Sequence, residues 1–167
     1  DLGRARDRAL STGHRRMSAR LHIDVRAEDF DAGAELARLE ALGGGGVASF
    51  TGVVRGGDGL VALELEHHPA ITRAMMTRIA EDACARWPLL GVTAIHRHGR
   101  LAPGERIVLV AAASPHRAAA LEATAFLIDW LKTRAPFWKK EHFDDGSARW
   151  VEARKEDDDA AARWERR

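Results

Sequence analysis

The chain has 167 residues, 46% of them hydrophobic and 31% charged, with 26 Lys and Arg against 25 Asp and Glu. Such a length fits one domain with a real core, and a net charge of +1 gives no global reason for a nucleic-acid partner. The single cysteine, Cys84, excludes an intrachain disulfide and a thiolate metal cluster, and no apolar run reaches the roughly 18 residues of a membrane span, so a cytoplasmic setting is expected.

Residues 1–20 carry Arg4, Arg6, Arg8, Arg15, Arg16 and Arg20 among small residues and cannot bury a core. They are expected to form a disordered basic extension, with a nucleic-acid-binding arm as the sharper alternative and Met17 as a second start. A single domain is expected over residues 21–167. Leu21, Ile23 and Val25 alternate as a strand, Ala34 to Leu42 read as a short helix, and Gly43 to Gly46 as a flexible turn, since no Gly-Lys-Ser/Thr follows to make a phosphate cradle. Val47 to Val54 is a strand whose expected hairpin partner is Leu60 to Leu65, which places Arg55 at a strand end on a mobile loop.

A helix is predicted from about Ile71 to Arg86 with Met75, Ile79, Ala83 and Trp87 on one face, ended by Pro88. Val92 to His98 and Arg106 to Ala113 read as strands around an Ala102-Pro103-Gly104-Glu105 turn. A helix follows from about Pro115, with Ser114 as its candidate N-cap, and Pro136 ends it near Arg134. Lys132 then sits in the last helical turn and Lys139 in the next extended segment. Tight turns between neighbouring strands point to an α+β fold with a mostly antiparallel sheet and packed helices.

Two segments carry candidate chemistry. Ser114-Pro115-His116-Arg117 sets an imidazole and a guanidinium beside backbone N–H groups at a helix start, an anion site in outline; the competing reading is two exposed first-turn residues. Lys132-Thr133-Arg134-Ala135-Pro136-Phe137-Trp138-Lys139-Lys140-Glu141 gathers cations around a Pro-aromatic break. Against it stands the ordinary role of last-turn cations, complementing the helix dipole for about 0.3–1 kcal/mol. Among the histidines, His67 and His68 are adjacent and point to opposite strand faces, and His96 and His98 form no helical i, i+4 pair, so no metal site is expected. His67 reads as a satisfied structural histidine. No Gly-x-Ser-x-Gly elbow occurs, and Cys84 reads as a small buried hydrophobe.

The stretch Lys132 to Glu141, with Arg149-Trp150-Val151-Glu152-Ala153-Arg154 after it, resembles the signature of the large, catalytic subunit of molybdopterin synthase. In matching order come Phe50-Thr51-Gly52-Val53-Val54-Arg55, Leu65-Glu66-His67-His68-Pro69 and Ser114-Pro115-His116-Arg117. Also similar are Arg86-Trp87-Pro88, Ile95-His96-Arg97-His98-Gly99 and Ala162-Arg163-Trp164. The resemblance implies an α/β hammerhead-like fold with no cofactor. Its implied reaction moves sulfur from the C-terminal Gly-Gly thiocarboxylate of a small ubiquitin-like subunit to cyclic pyranopterin monophosphate, making the molybdopterin dithiolene. The implied assembly is a homodimer within a heterotetramer.

By the same resemblance, Lys132 is the principal catalytic residue and Lys139 its partner. Arg55, His116 and Arg117 hold the substrate, Arg154 adds charge to the pocket, and Glu141 orients a lysine. The Gly56-Gly57-Asp58-Gly59 loop is shorter than is usual in the family. The resemblance also implies that His116 and Arg117 act across the dimer interface, with Arg55 from the other copy, and helix geometry agrees: His116 and Lys132 stand at opposite ends of one helix, roughly 24 Å apart at about 1.5 Å per residue, so a small substrate touching both needs two copies of the chain. Two other readings stay open. One is a non-catalytic module that docks a ubiquitin-like Gly-Gly tail, and the other an RNA- or phosphate-binding α+β domain, which would lack stacking aromatics at strand spacing.

Overall fold

The computed structural model describes residues 18–152 and 155–165, so the basic extension expected over residues 1–20 lies, up to residue 17, outside the described residues. Its elements are β1 (Arg20–Arg26), α1 (Ala32–Glu40), β2 (Gly46–Val53), β3 (Leu60–His67), α2 (Pro69–Arg86) and β4 (Gly91–Arg97). They continue as β5 (Gly99–Leu101), β6 (Arg106–Ser114), α3 (Arg117–Arg134), β7 (Phe137–Phe143), β8 (Ala148–Trp150) and α4 (Lys155–Ala162). The α+β class holds, with two four-stranded sheets in place of one: β1-β4-β6-β2 and β5-β3-β7-β8. All pairings are antiparallel except β1 with β4.

Strand alternation sorts the core of the first sheet into two layers. Val92, Ala94, Val108, Val110 and Ala112 face α2 and α3, where they meet Met76, Ile79, Ala83, Phe126 and Leu127. Ile95 and Leu109, with Phe30, and Ala111 and Ala113, with Leu39, fill the opposite face. Because helices cover both faces, β4 is buried along its whole length, Thr93, His96 and Arg97 included. The buried face of α2 runs through Thr72, Met76, Ile79, Ala80 and Ala83, so Met76 replaces the expected Met75, which is half-buried.

The expected β2–β3 hairpin does not form. β2 pairs β6 at the edge of the first sheet, while β3 lies between β5 and β7 in the second. Alternation reports which residues share a face, not which strand lies alongside, and the short Gly-rich loop was an ambiguous turn signal. Residues 54–59 consequently connect the two sheets, and Arg55 stands at their junction.

Ser114 is not the cap of α3 either. It remains in β6 opposite Gly46, fully buried, and its Oγ donates to the Pro88 carbonyl at 2.9 Å while accepting from the His116 N–H at 3.2 Å. His116, with φ −125° and ψ 131°, takes the N-cap position without a side-chain cap bond, and Pro115 lies outside the helix. Nor are the four glycines simply a flexible turn. The Gly45 N–H donates to the Ser114 carbonyl at 3.0 Å, and a Cβ at Gly44 would stand 2.8 Å from that same oxygen. A Cβ at Gly45 would overlap the Pro115 carbonyl oxygen. Gly45→Ala must therefore push the strand end off the segment that presents His116 and Arg117, and a loss of about 1–3 kcal/mol is expected by analogy with overpacked cores. Urea denaturation measures it, and an unchanged midpoint would contradict this packing.

The C-terminal helix is tied down by the motif Ala162-Arg163-Trp164. Trp164 is buried against Trp87 and Phe126 at ring separations of 5.6 and 5.5 Å, and its Nε1 donates to Asp129 Oδ2 at 2.8 Å. Arg163 donates to the same carboxylate oxygen at 2.7 Å, and Arg86 donates to the Trp164 carbonyl at 3.0 Å. The anchor lays α4 along α3, close to the end that carries Lys132.

Candidate active site

At the junction of the two sheets lies a cleft of about 820 Å³. Its cationic lining comes from four separate elements: Arg55 from the β2–β3 connection, Lys132 from the last turn of α3, Lys139 from β7 and Arg149 from β8. β7 explains how one strand serves both cleft and sheet. Phe137, Lys139, Glu141 and Phe143 alternate onto the cleft side. On the other side His142 meets Glu64 at 2.9 Å, and Lys140 lies 5.3 Å from the centre of the Trp150 ring. Pro136 ends α3 immediately before this strand, so the helical lysine and the strand lysine approach one space from two directions.

Acidic groups share the cleft. Glu141 accepts from Arg149 Nε at 3.4 Å, which makes it an anchor for that guanidinium as well as a neighbour of Lys139. Asp157 and Asp158, in the acidic first turn of α4, complete the wall. Their place at a helix N-terminus matches the helix dipole, and no sequence signal linked them to the lysines. Arg134 turns away: its guanidinium carbon lies 4.1 Å from the centre of the Trp130 ring and its Nη2 is 3.6 Å from Glu165.

Beneath the lysines sits a buried histidine. Strand alternation puts His96 on the face of β4 that bears Val92 and Ala94, opposite Val108 in β6. Its ring stacks on Phe137 with centres 3.6 Å apart and planes at 16°, and Nδ1 lies 2.8 Å from the Arg97 carbonyl oxygen. A carbonyl only accepts, so Nδ1 carries the proton. Burial pushes its pKa down to about 3, and Lys139 and Lys132 push the same way, so the ring is neutral at physiological pH. A small cavity of about 40 Å³ is lined by His96, Lys132, Lys139 and Phe137. The neighbouring His67 is half-buried, its pKa lowered by burial and then by His98 and His68, and its Nδ1 has no hydrogen-bond partner among the described residues, so it is not the satisfied histidine expected. Cys84 is half-buried against the core, and burial, with Glu81, raises its thiol pKa.

His116 and Arg117 do not join the cleft. They are exposed at the opposite end of α3, and Arg117 borders a shallow groove with Phe50, Ala120, Leu121 and Thr124. Arg154 lies outside the described residues. Among the described residues, no three His, Cys, Asp or Glu side chains converge as a metal site, and no helix is long and apolar enough to cross a membrane.

The family model described as "MoaE protein" matches residues 25–134. The chain belongs to the MoaE family. A protein of Brucella melitensis named "Molybdopterin synthase catalytic subunit" is 52% identical over 149 residues, 87% of this chain and 91% of the relative. The MoaE fold is matched by the molybdopterin biosynthesis MoaE protein of Burkholderia ambifaria, at 46% identity and a TM-score of 0.74, covering 87% of this chain and 98% of that one. It is matched too by the crystal structure of molybdopterin synthase from Staphylococcus aureus, at 26% identity and a TM-score of 0.69, covering 77% and 95%. Arg55, His116, Arg117 and Lys132 fall within the MoaE match, whereas Lys139 and Glu141 follow it.

Proposed function

We propose that this MoaE chain is the catalytic subunit of a molybdopterin synthase, one domain over residues 21–167 acting in the cytoplasm. It transfers sulfur from the C-terminal thiocarboxylate of a small ubiquitin-like subunit to cyclic pyranopterin monophosphate. The observation that carries this reading is the convergence of Arg55, Lys132 and Lys139 on one cleft in a chain whose relatives bear that name.

The thiocarboxylate, the substrate phosphate and the oxyanions that develop during transfer are all negative, so cations fixed in advance lower the barrier without rearranging during the step. Lys132, at the mouth of the cleft, serves as the group that exchanges a proton with the pterin. Lys139, deeper on β7, holds the donor's carboxyl end, and Glu141 orients the lysine beside it. Arg55 reaches the substrate from the inter-sheet loop. His116 and Arg117 bind the phosphate of a substrate held by the neighbouring copy, and Arg154 keeps the role in pocket charge that the family resemblance implies for it. A thin Gly-Gly tail suits such a cleft because it has no side chains to clear.

The test supplies the chain with thiocarboxylated partner and cyclic pyranopterin monophosphate and follows molybdopterin by fluorescence after oxidation. Product is expected. Tight partner binding without product would instead establish the docking-module reading.

A further inference from the structure

Resting on the sulfur-transfer reading, we propose that His96 is the positioning residue of the lysine pair, a single-tautomer imidazole whose Nε2 accepts a hydrogen bond from the Lys139 ammonium and sets that lysine against the cleft. Nothing in the proposed chemistry otherwise uses this histidine. A buried polar ring in a strand that is apolar along most of its length calls for a partner on each nitrogen.

Three observations converge. The Arg97 carbonyl occupies Nδ1, which leaves Nε2 as a lone-pair acceptor and nothing else. Arg97 is itself held, with Nε donating to the Ala27 carbonyl at 3.1 Å and Nη1 to the Arg106 carbonyl at 3.0 Å, so the ring is braced from behind. In front, Phe137 stacks on the imidazole and stands two residues before Lys139 on the same face of β7. His96, Lys132 and Lys139 then share the small cavity. The titratable groups that act on the ring are Lys139 from β7, Lys132 from α3 and His67 from β3, and Lys139 acts most strongly of the three.

The chemistry gives the arrangement a purpose. A carboxylate beside Lys139 would fix its position but offset the positive charge with which that lysine holds the donor's carboxyl end. A neutral imidazole fixes the position while adding no charge. It cannot take the proton itself, because burial opposes the imidazolium.

His96→Phe keeps the stacked ring and removes the acceptor, whereas His96→Gln restores an acceptor oxygen. In the full chain with isotope-labelled lysine side chains, the Lys139 signal, assigned by Lys139→Arg, is followed against pH without substrate. The titration midpoint is expected to fall by about one unit in His96→Phe, since a hydrogen bond to the charged form is lost, and to recover in His96→Gln. In the sulfur-transfer assay, kcat should fall about 10- to 100-fold in His96→Phe with KM for the pterin little changed, and rise again in His96→Gln.

An unshifted Lys139 signal with normal kcat in folded His96→Phe would overturn the proposal, as would a failure of His96→Gln to rescue. If His96→Phe does not fold, long-range proton–nitrogen spectra of the unaltered chain decide: an Nε2-protonated or doubly protonated ring at pH 7 refutes the inference. The lysine titration needs no turnover, so an unaltered chain that makes no molybdopterin counts against sulfur transfer and leaves the His96–Lys139 contact to be judged separately.

Discussion

Lys132→Ala should lower sulfur transfer by about 10²–10⁴-fold, the usual cost of losing a placed proton-transfer or charge-stabilising group. Its effect on folding should be small. Lys132 is exposed in the last turn of α3, and the core contacts of that turn come from Leu131 and Ala135. What the fold loses is the interaction of one cation with the helix dipole, about 0.3–1 kcal/mol, and Arg134 still supplies a charge in the same turn. Alanine is also a good helix former, so the backbone is not penalised. Turnover with saturating thiocarboxylated partner, measured beside the denaturation midpoint and partner affinity, separates these effects. Turnover within about threefold of the unaltered chain would remove Lys132 from the chemistry, since that is far below the loss expected of an acid–base group.

Mixing two inactive variants, Lys132→Ala and Arg117→Ala, should restore activity when subunits exchange. Arg117 opens α3 and Lys132 lies in its last turn, about 22 Å away at about 1.5 Å per residue, and the cleft that contains Lys132 does not contain Arg117. If both serve one substrate, each site takes Arg117 from one copy and Lys132 from the other. The surface around Arg117 is suited to a second copy. β2 is an edge strand, and its Phe50 and the neighbouring Leu121 of α3, which share the groove that Arg117 borders, are exposed at 41% and 62%. Large apolar side chains next to an unpaired strand edge mark a contact surface. In an isologous pair every contact occurs twice, so a mixed dimer holds one site with both substitutions and one with neither. Full exchange of a 1:1 mixture should therefore reach about a quarter of unaltered activity, half the dimers being mixed with one good site each. Verified exchange without recovery would place each site within one chain.

Much of the chain's local organisation was readable from residues alone. The apolar spacing of α3 and the Pro136 stop located Lys132 and Lys139 on different elements, which holds, and the motifs shared with the molybdopterin synthase catalytic subunit identified the family. Hydrophobic period and the steric exclusion of helix before proline act over a few residues, so they are visible in one dimension. The identity of β2's neighbour was decided elsewhere. β2 lies against β6, about sixty residues on, because its face completes a sheet covered by α3, and only that choice carries Arg55 to the junction with β7. The same holds for Asp157 and Asp158, brought to the cleft by the docking of Trp164 on Asp129 and Phe126, and for His96, whose motif was visible but whose stack on Phe137 was not. Contacts between distant residues depend on which packed arrangement buries the most apolar surface while satisfying every buried polar group, and that is settled by the whole tertiary structure at once.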